Sequence, residues 1–222
     1  MAPAPPSSSY HHTGEYNCCT AHTGKYAGLQ GQILEYQRAE NPCVSSFNKS
    51  FSQRGDALTG PPNRLLFDDR LQQQLAQASR QSQMLAVLFI DLDSFKTIND
   101  TQGHTVGDQL LRITAERLMG CVRNADTVAR LGGDEFIALL ANISRRHDAE
   151  QVAQKILEAL ARAFVIDGQE PFVTASIGIA LYPAGGIDAE ALLHNADSAM
   201  YHAKQAGKNN YRLYKTVAPA QP

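Results

Sequence analysis

Phe67, Leu71, Leu75 and Ala78 recur at i, i+4, i+8 and i+11, the stripe of an amphipathic helix with one buried face. Pro62 suits the entrance of that helix, where a missing N–H costs nothing. The pattern then changes. "MLAVLFIDLD" is a continuous apolar run ending in acids, which predicts a strand buried on both faces whose C-terminal end emerges at a site. A second helix is expected from Asp108, with Leu111, Ala115, Leu118 and Val122 on one stripe. "ARLGGDEFIALL" follows, two glycines and two acids between apolar flanks, and reads as a buried hairpin. A further helix carries Val152, Ile156 and Leu160, "VIDGQE" is a two-residue Asp-Gly hairpin signal, and "FVTASIGIALY" alternates like a strand. The last helix turns Leu193, Ala196, Met200 and Ala203 inward, meets a C-cap at Gly207 and leads into the short strand "NYRLY". Helices and strands interleave, but two connections are hairpins. That predicts an α+β domain, a mixed and largely antiparallel central sheet flanked by helices, rather than a doubly wound parallel one.

The first 53 residues break this regularity. They are rich in Pro, Ser, Thr and Gly and carry no long apolar period, so residues 1–53 are expected to form a disordered or irregular tail with at most a short helix around Leu29 to Arg38. "HHTGEYNCCTAH" brings His and Cys together, yet adjacent cysteines do not match the usual zinc-ligand spacings. Order is expected from near Asp56, in a domain spanning 54–216, with a C-terminal tail at 217–222.

Composition narrows the classes. A chain of 222 residues with 43% hydrophobic residues can bury one substantial core. Its formal net charge of -2 offers no basic field for DNA or RNA, so no nucleic-acid polymer is expected as a partner. There is no run of about 18 apolar residues for a membrane span, nor the basic and apolar start of a secretory signal, which points to the cytoplasm. Cys18, Cys19, Cys43 and Cys121 form no evenly spaced framework, and a disulfide network is not expected.

Strand alternation puts Asp91 and Asp93 on one side of the apolar strand and Leu92 on the other. If the hairpin pairs beside that strand, Asp134 and Glu135 meet Asp91. Carboxylates converging without a balancing Arg repel one another unless a hard divalent cation neutralises them, and oxygen ligands suit magnesium or manganese. The hairpin alone would read as a solvated acidic turn; the second cluster of acids favours metal. A magnesium site of this kind usually works on phosphates, but neither GxxxxGK[ST] nor GxGxxG is present. "DSFKTIND" instead offers a helix start with free N–H groups beside Lys96. Lys204 and Lys208 stand one turn apart, either facing phosphates or stabilising a helix C-terminus by about 0.3–1 kcal/mol each. Asn99 and Asp108 flank "DTQGHTVG". A carboxylate can accept from guanine N1 and N2 and an amide can serve its O6 or N3 side, although Asp108 alone reads as a helix N-cap.

At this point "DALTGPPNRLLF", "IDLDSFKTINDTQGHTVGDQLL", "RLGGDEF", "TASIGIA" and "ADSAMYHAKQAGKNNY" together resemble the GGDEF domain of diguanylate cyclases, over about Asp56 to Tyr214. The resemblance implies a ferredoxin-like core related to nucleotidyl cyclases and polymerase palms. It implies condensation of two GTP into cyclic di-GMP and two pyrophosphates across a homodimer, each ribose 3′-hydroxyl attacking the opposite α-phosphate. Asp91, the Leu92 carbonyl and Asp134 look like ligands of Mg2+ or Mn2+, with Glu135 joining them or serving close by, and Asp134 resembles the family's proton acceptor. Asn99 and Asp108 resemble the guanine readers; Phe95, Lys96, Lys204 and Lys208 correspond to phosphate-side positions. Gly132 and Gly133 would let the backbone approach GTP. Arg130 occupies the place of an arginine that responds to regulation. Arg123 and Asp126 match the RxxD site where the product binds and inhibits, Arg on guanine O6 and N7 and Asp on its N1 and N2 donors; taken alone they read as an exposed i,i+3 pair worth about 0–1 kcal/mol.

The motifs depart at Pro61, where the family has leucine; loss of a packed leucine would cost up to about 1.5–3 kcal/mol. The first 53 residues do not resemble the sensory or coiled-coil segments that pair such domains, so activity is expected to be weak or to depend on concentration. The rival expectation is a non-catalytic receptor of cyclic di-GMP using Arg123 and Asp126, which the retained acids disfavour. No segment after the final strand reads as a phosphodiesterase domain.

Overall fold

The computed structural model describes residues 55–215. The tail at 1–53, with its short helix and its His- and Cys-rich stretch, and the tail at 217–222 lie outside the described residues. Along the chain the elements are α1 (Arg64–Gln81), β1 (Met84–Asp93), α2 (Phe95–Gln102), α3 (His104–Cys121), β2 (Thr127–Gly132), β3 (Glu135–Ile143), α4 (Arg146–Leu160), β4 (Thr174–Tyr182), α5 (Ala189–Gln205) and β5 (Asn210–Leu213). The sheet runs β2-β3-β1-β4-β5. Its pairs are antiparallel except β4 with β5, so the α+β fold with a mixed, largely antiparallel sheet is the one the apolar pattern predicts. Among the described residues no helix is long and apolar enough to cross a membrane.

The sheet is covered on both faces because β1 is apolar at every position of its centre. Ala86, Leu88, Ile90 and Leu92 join one core with Leu110, Leu111 and Leu118 of α3 and Ala153, Ile156 and Leu160 of α4. Leu85, Val87 and Phe89 join a second core with Phe67, Leu71 and Leu75 of α1 and Leu192, Ala196 and Met200 of α5. The period of two in the strand meets a period near 3.6 in each helix, which is why a single run of ten residues serves two layers.

Capping explains most of the ends. Asn63 Oδ1 accepts from Leu66 N–H at 3.1 Å to start α1. The helices α3 and α4 cap each other's C-termini: Arg117 of α3 donates to the carbonyls of Ala159, Arg162 and Ala163 at 3.1, 2.8 and 2.7 Å, and Lys155 of α4 donates to those of Gly120 and Cys121 at 3.1 and 3.2 Å. Cations at these ends also complement the helix dipoles.

Several expected boundaries move. The helix expected from Asp108 starts at His104, because Gly103, with φ 88°, bends the chain sharply between α2 and α3. Asp108 is therefore a residue of the helix's second turn and not its N-cap. Val122 ends α3 in extended conformation, and in α5 Leu192 is fully buried while Leu193 is only partly so. Ala206 is the C-cap of α5, and Gly207 follows it with φ 109°. "VIDGQE" turns at Asp167 and Gly168 with φ 50° and 77°, as an Asp-Gly turn should, but closes only one bridge, Ile166 to Gln169, outside the sheet. Pro61, where the family motif has leucine, is buried, and its carbonyl accepts from Asp56 N–H at 2.7 Å.

Two contacts hold this frame around the strand ends. Gly178 of β4 lies directly under α5: a Cβ there would overlap the Ala196 carbonyl oxygen and the Met200 nitrogen. Arg130 of β2 joins the start of the domain to the hairpin, its Nη1 on Asp56 Oδ1 at 3.1 Å and its Nε and Nη2 on the Gly133 carbonyl at 3.0 and 2.7 Å. Burial opposes ionisation of Asp56, but the Thr59 hydroxyl and N–H and the Arg130 guanidinium outweigh it and hold the carboxyl below its ordinary value.

Gly178→Ala is expected to lower stability by about 1–3 kcal/mol, since backbone rather than a side-chain tip must yield, read as a shift of the urea midpoint. Asp56→Asn is expected to cost about 1–2 kcal/mol at neutral pH. Because the Asp56 pKa is depressed in the folded state, its contribution is present above the ordinary aspartate value and lost as pH falls through the depressed one. The difference between the two proteins in denaturant titrations should therefore shrink on acidification.

Candidate functional site

On the α5 face the apolar row of β1 ends in acids. Leu85, Val87 and Phe89 are followed on the same side by Asp91 and Asp93, and Ile137 and Leu139 of β3 are preceded by Glu135. Register sets Asp91 opposite Glu135. The Leu92 N–H donates to the Asp134 carbonyl at 3.3 Å, so the hairpin tip closes onto the strand end. Asp91 and Glu135 thus meet as the sequence pattern anticipates.

Asp91 is 7% exposed, and its Oδ2 lies 2.7 Å from Lys204 Nζ of α5. Burial raises its pKa, Lys204 opposes the rise, and the charges of Asp134 and Asp93 add to it. Glu135 is raised by burial and then by Asp91, Asp134 and Asp197, with Lys204 again opposing. Lys204 thus opposes, without reversing, the rise at both acids. Among the described residues no three His, Cys, Asp or Glu side chains form a ready-made cation cage. The donor set of Asp91, Asp134, Glu135 and the Leu92 carbonyl consists of hard oxygens, and so fits magnesium or manganese by chemistry.

Asp93 plays a different part from its neighbour. At 4% exposure it accepts from Thr174 Oγ1 at 2.6 Å, Ser176 Oγ at 2.7 Å and Asn209 N–H at 3.1 Å. A buried carboxylate with three donors is satisfied, and it ties β1 and β4 to the turn before β5. In that turn Lys208 and Asn209 adopt φ 61° and 48°, and Lys208 Nζ donates to Ser94 Oγ at 3.3 Å. Lys208 thus comes to the start of α2, where Lys96 is exposed. Phe95 is buried in the α3/α4 core, so any polar contact it makes is through its backbone.

At the tip, Gly132 and Gly133 are exposed with φ 148° and 53°, and no atom lies within 4 Å of where either Cβ would stand. Those angles favour glycine, and the space beside both residues is open. Arg130 fixes the Gly133 carbonyl behind it. Asn99 of α2 has its Oδ1 buried with no partner, and Asp108 is half-buried on α3.

Arg123 and Asp126 lie apart from this cluster, before the other end of β2. Their side chains form no ion pair. The Asp126 carboxylate accepts from the Arg123 N–H at 2.9 Å and the Ala141 N–H at 3.1 Å, which holds the turn while the Arg123 side chain stays exposed. Sequence reasoning did not assign roles to Asp56, Thr174 or Ser176. Alternation along "TAS" places Thr174 and Ser176 on one side of their strand, a signal that was available; the Asp56 link to Arg130 spans 74 positions and left none.

Comparison with known proteins shows the family to which this fold belongs. The family model described as diguanylate cyclase, GGDEF domain, matches residues 54–210. The chain is 48% identical over 161 residues to the bifunctional diguanylate cyclase/cyclic di-GMP phosphodiesterase MucR of Pseudomonas aeruginosa, a match covering 72% of this chain and 23% of MucR. It is 41% identical over 211 residues to the cyclic di-GMP phosphodiesterase NbdA of the same species, covering 91% and 27%. It thus spans only about a quarter of the length of these two curated relatives. Among solved structures, the GGDEF domain of TpbB (YfiN) from Pseudomonas aeruginosa superposes with a TM-score of 0.70 at 44% identity, covering 71% of this chain and 98% of that one. The GGDEF domain of DgcB from Caulobacter crescentus, solved in complex with c-di-GMP, gives 0.66 at 28% identity, covering 72% and 95%. The chain belongs to the GGDEF domain family of diguanylate cyclases.

Proposed function

We propose that residues 54–216 form a catalytic domain that joins two GTP molecules into cyclic di-GMP. The observation that carries this reading is the meeting of Asp91, Glu135 and Asp134 at one strand end with Lys204 on Asp91. Some relatives are named phosphodiesterases, so retention of these acids and lysines in this chain is what argues for synthesis.

In this reading Asp91, Asp134, Glu135 and the Leu92 carbonyl hold magnesium or manganese. When bound, such an ion supplies Lewis-acid polarisation and counter-charge for a phosphate. Lys204 and Lys208 add positive charge on the phosphate side, with Lys96 and the start of α2 beside them. Asn99 and Asp108 take the guanine. Asp134 accepts the proton of the 3′-hydroxyl as its oxygen bonds to the α-phosphorus of the other nucleotide. The bond from that phosphorus to the bridging oxygen breaks, and pyrophosphate leaves. One domain holds one GTP, so two copies must face each other, and the open side of Gly132 and Gly133 suits that approach.

Arg123 and Asp126 are read as a product site. They precede β2, and the other end of that strand leads into Gly132 and Gly133, with Arg130 between. A ligand held at the first end therefore bears on the strand that carries the tip.

With GTP and magnesium the purified chain is expected to form cyclic di-GMP with a specific rate that rises with protein concentration. Asp134→Asn should lose on the order of 10²-fold. No product at any concentration would sink the reading, and near-normal turnover in the variant would remove Asp134 from its role. Arg123→Ala is expected to weaken cyclic di-GMP binding in calorimetry and to relieve inhibition; unchanged affinity would contradict the assignment of that site.

A further inference from the structure

Gly107 is buried in α3, one residue before Asp108, and a Cβ built on it would overlap Asn99 Oδ1 and come within 3.3 Å of Phe95 Cζ. That same Oδ1 is buried and has no hydrogen-bond partner among the described residues. The end of the Asn99 amide is thus packed on the bare backbone of the next helix. Gly107 does not have the positive φ seen at Gly103, and inside a helix alanine is favoured over glycine. Local conformation does not call for glycine here; the space taken by Asn99 does.

We propose that Gly107 is a positioning residue for base selection. By leaving no side chain between α2 and α3 it lets the Asn99 amide lie against α3 close to Asp108, so that amide and carboxylate address one purine together. The inference rests on the reading of Asn99 and Asp108 as guanine contacts and goes beyond it, since Gly107 itself need not touch the nucleotide. Alanine at this position forces the Asn99 amide to rotate away, while the metal acids and the phosphate-side lysines stay in place. Discrimination between guanine and adenine should fall through weaker binding of the guanine nucleotide, while the hold on the phosphate groups stays as it was.

The test is calorimetry on the full 222-residue chain with magnesium and either 3′-deoxy-GTP or 3′-deoxy-ATP, which lack the attacking hydroxyl. Gly107→Ala is expected to weaken the guanine nucleotide about 10-fold, the scale of one well-placed hydrogen bond. Binding of the adenine nucleotide and the thermal midpoint should be unchanged. Adding Gly107→Ala to Asn99→Ala should cost nothing further, because both act through one amide. Retained guanine affinity in Gly107→Ala beside a weakened Asn99→Ala, or additive losses in the double variant, overturns the positioning role alone. So does an equal loss for both nucleotides with a lowered midpoint, which would mark a merely structural glycine. If the unaltered chain binds neither nucleotide, the cyclase reading fails and this inference fails with it.

Discussion

A carboxylate at the buried end of a central strand is costly unless donors or positive charge meet it, and much of the architecture around β1 answers that cost. Asp91 and Asp93 continue the row of Leu85, Val87 and Phe89, so they leave the core on the side covered by α5. Asp93 is met by two hydroxyls of β4 and a backbone N–H before β5. Asp91 is met by Lys204, 2.7 Å away. That lysine comes from α5, the helix whose close seat on β4 leaves no room for a Cβ at Gly178. Packing and electrostatics meet here: the helix seated on the glycine also carries the charge.

The two acids therefore separate in function although they are two residues apart. Asp93 has its donors in place and acts as a joint between strands. Asp91 is raised first by burial and further by Asp134 and Asp93, and Lys204, which also bears on Glu135, offsets only part of that rise. Around them one side of the hairpin is held and the other left open. Arg130 fixes the Gly133 carbonyl to Asp56 at the start of the domain, while the Cβ side of both tip glycines faces empty space. The tip is thus held from behind and open in front.

Much of this was legible along the chain. The stripe of α1 and the doubly buried β1 follow from local periodicity, which a window of ten to twenty residues contains, whereas the meeting of the hairpin acids with Asp91 was expected only if the hairpin paired beside β1, as it does. The start of α3 was misplaced because Asp108 has the chemistry of an N-cap, while the bend falls at Gly103. Asp126 looked like the partner of Arg123 and instead binds two backbone N–H groups, one of them Ala141 on a strand 15 positions away. The "VIDGQE" turn formed as its residues require, yet without flanking strands in the sheet it closes a single bridge.

The amino-acid sequence by itself determined which positions face a core, where the acids lie and that glycines occupy the tip, because side-chain type and backbone freedom act over a few residues. Only the tertiary structure decided that Asp93 is met by hydroxyls and a backbone N–H, that Lys204 rather than an arginine stands on Asp91, that Asp56 secures the hairpin through Arg130, and that Gly107 makes room for Asn99. These depend on how closely α5, the start of the domain and α3 approach elements distant in sequence. Such distances follow from the packing of two whole layers and are encoded in no single stretch of the chain.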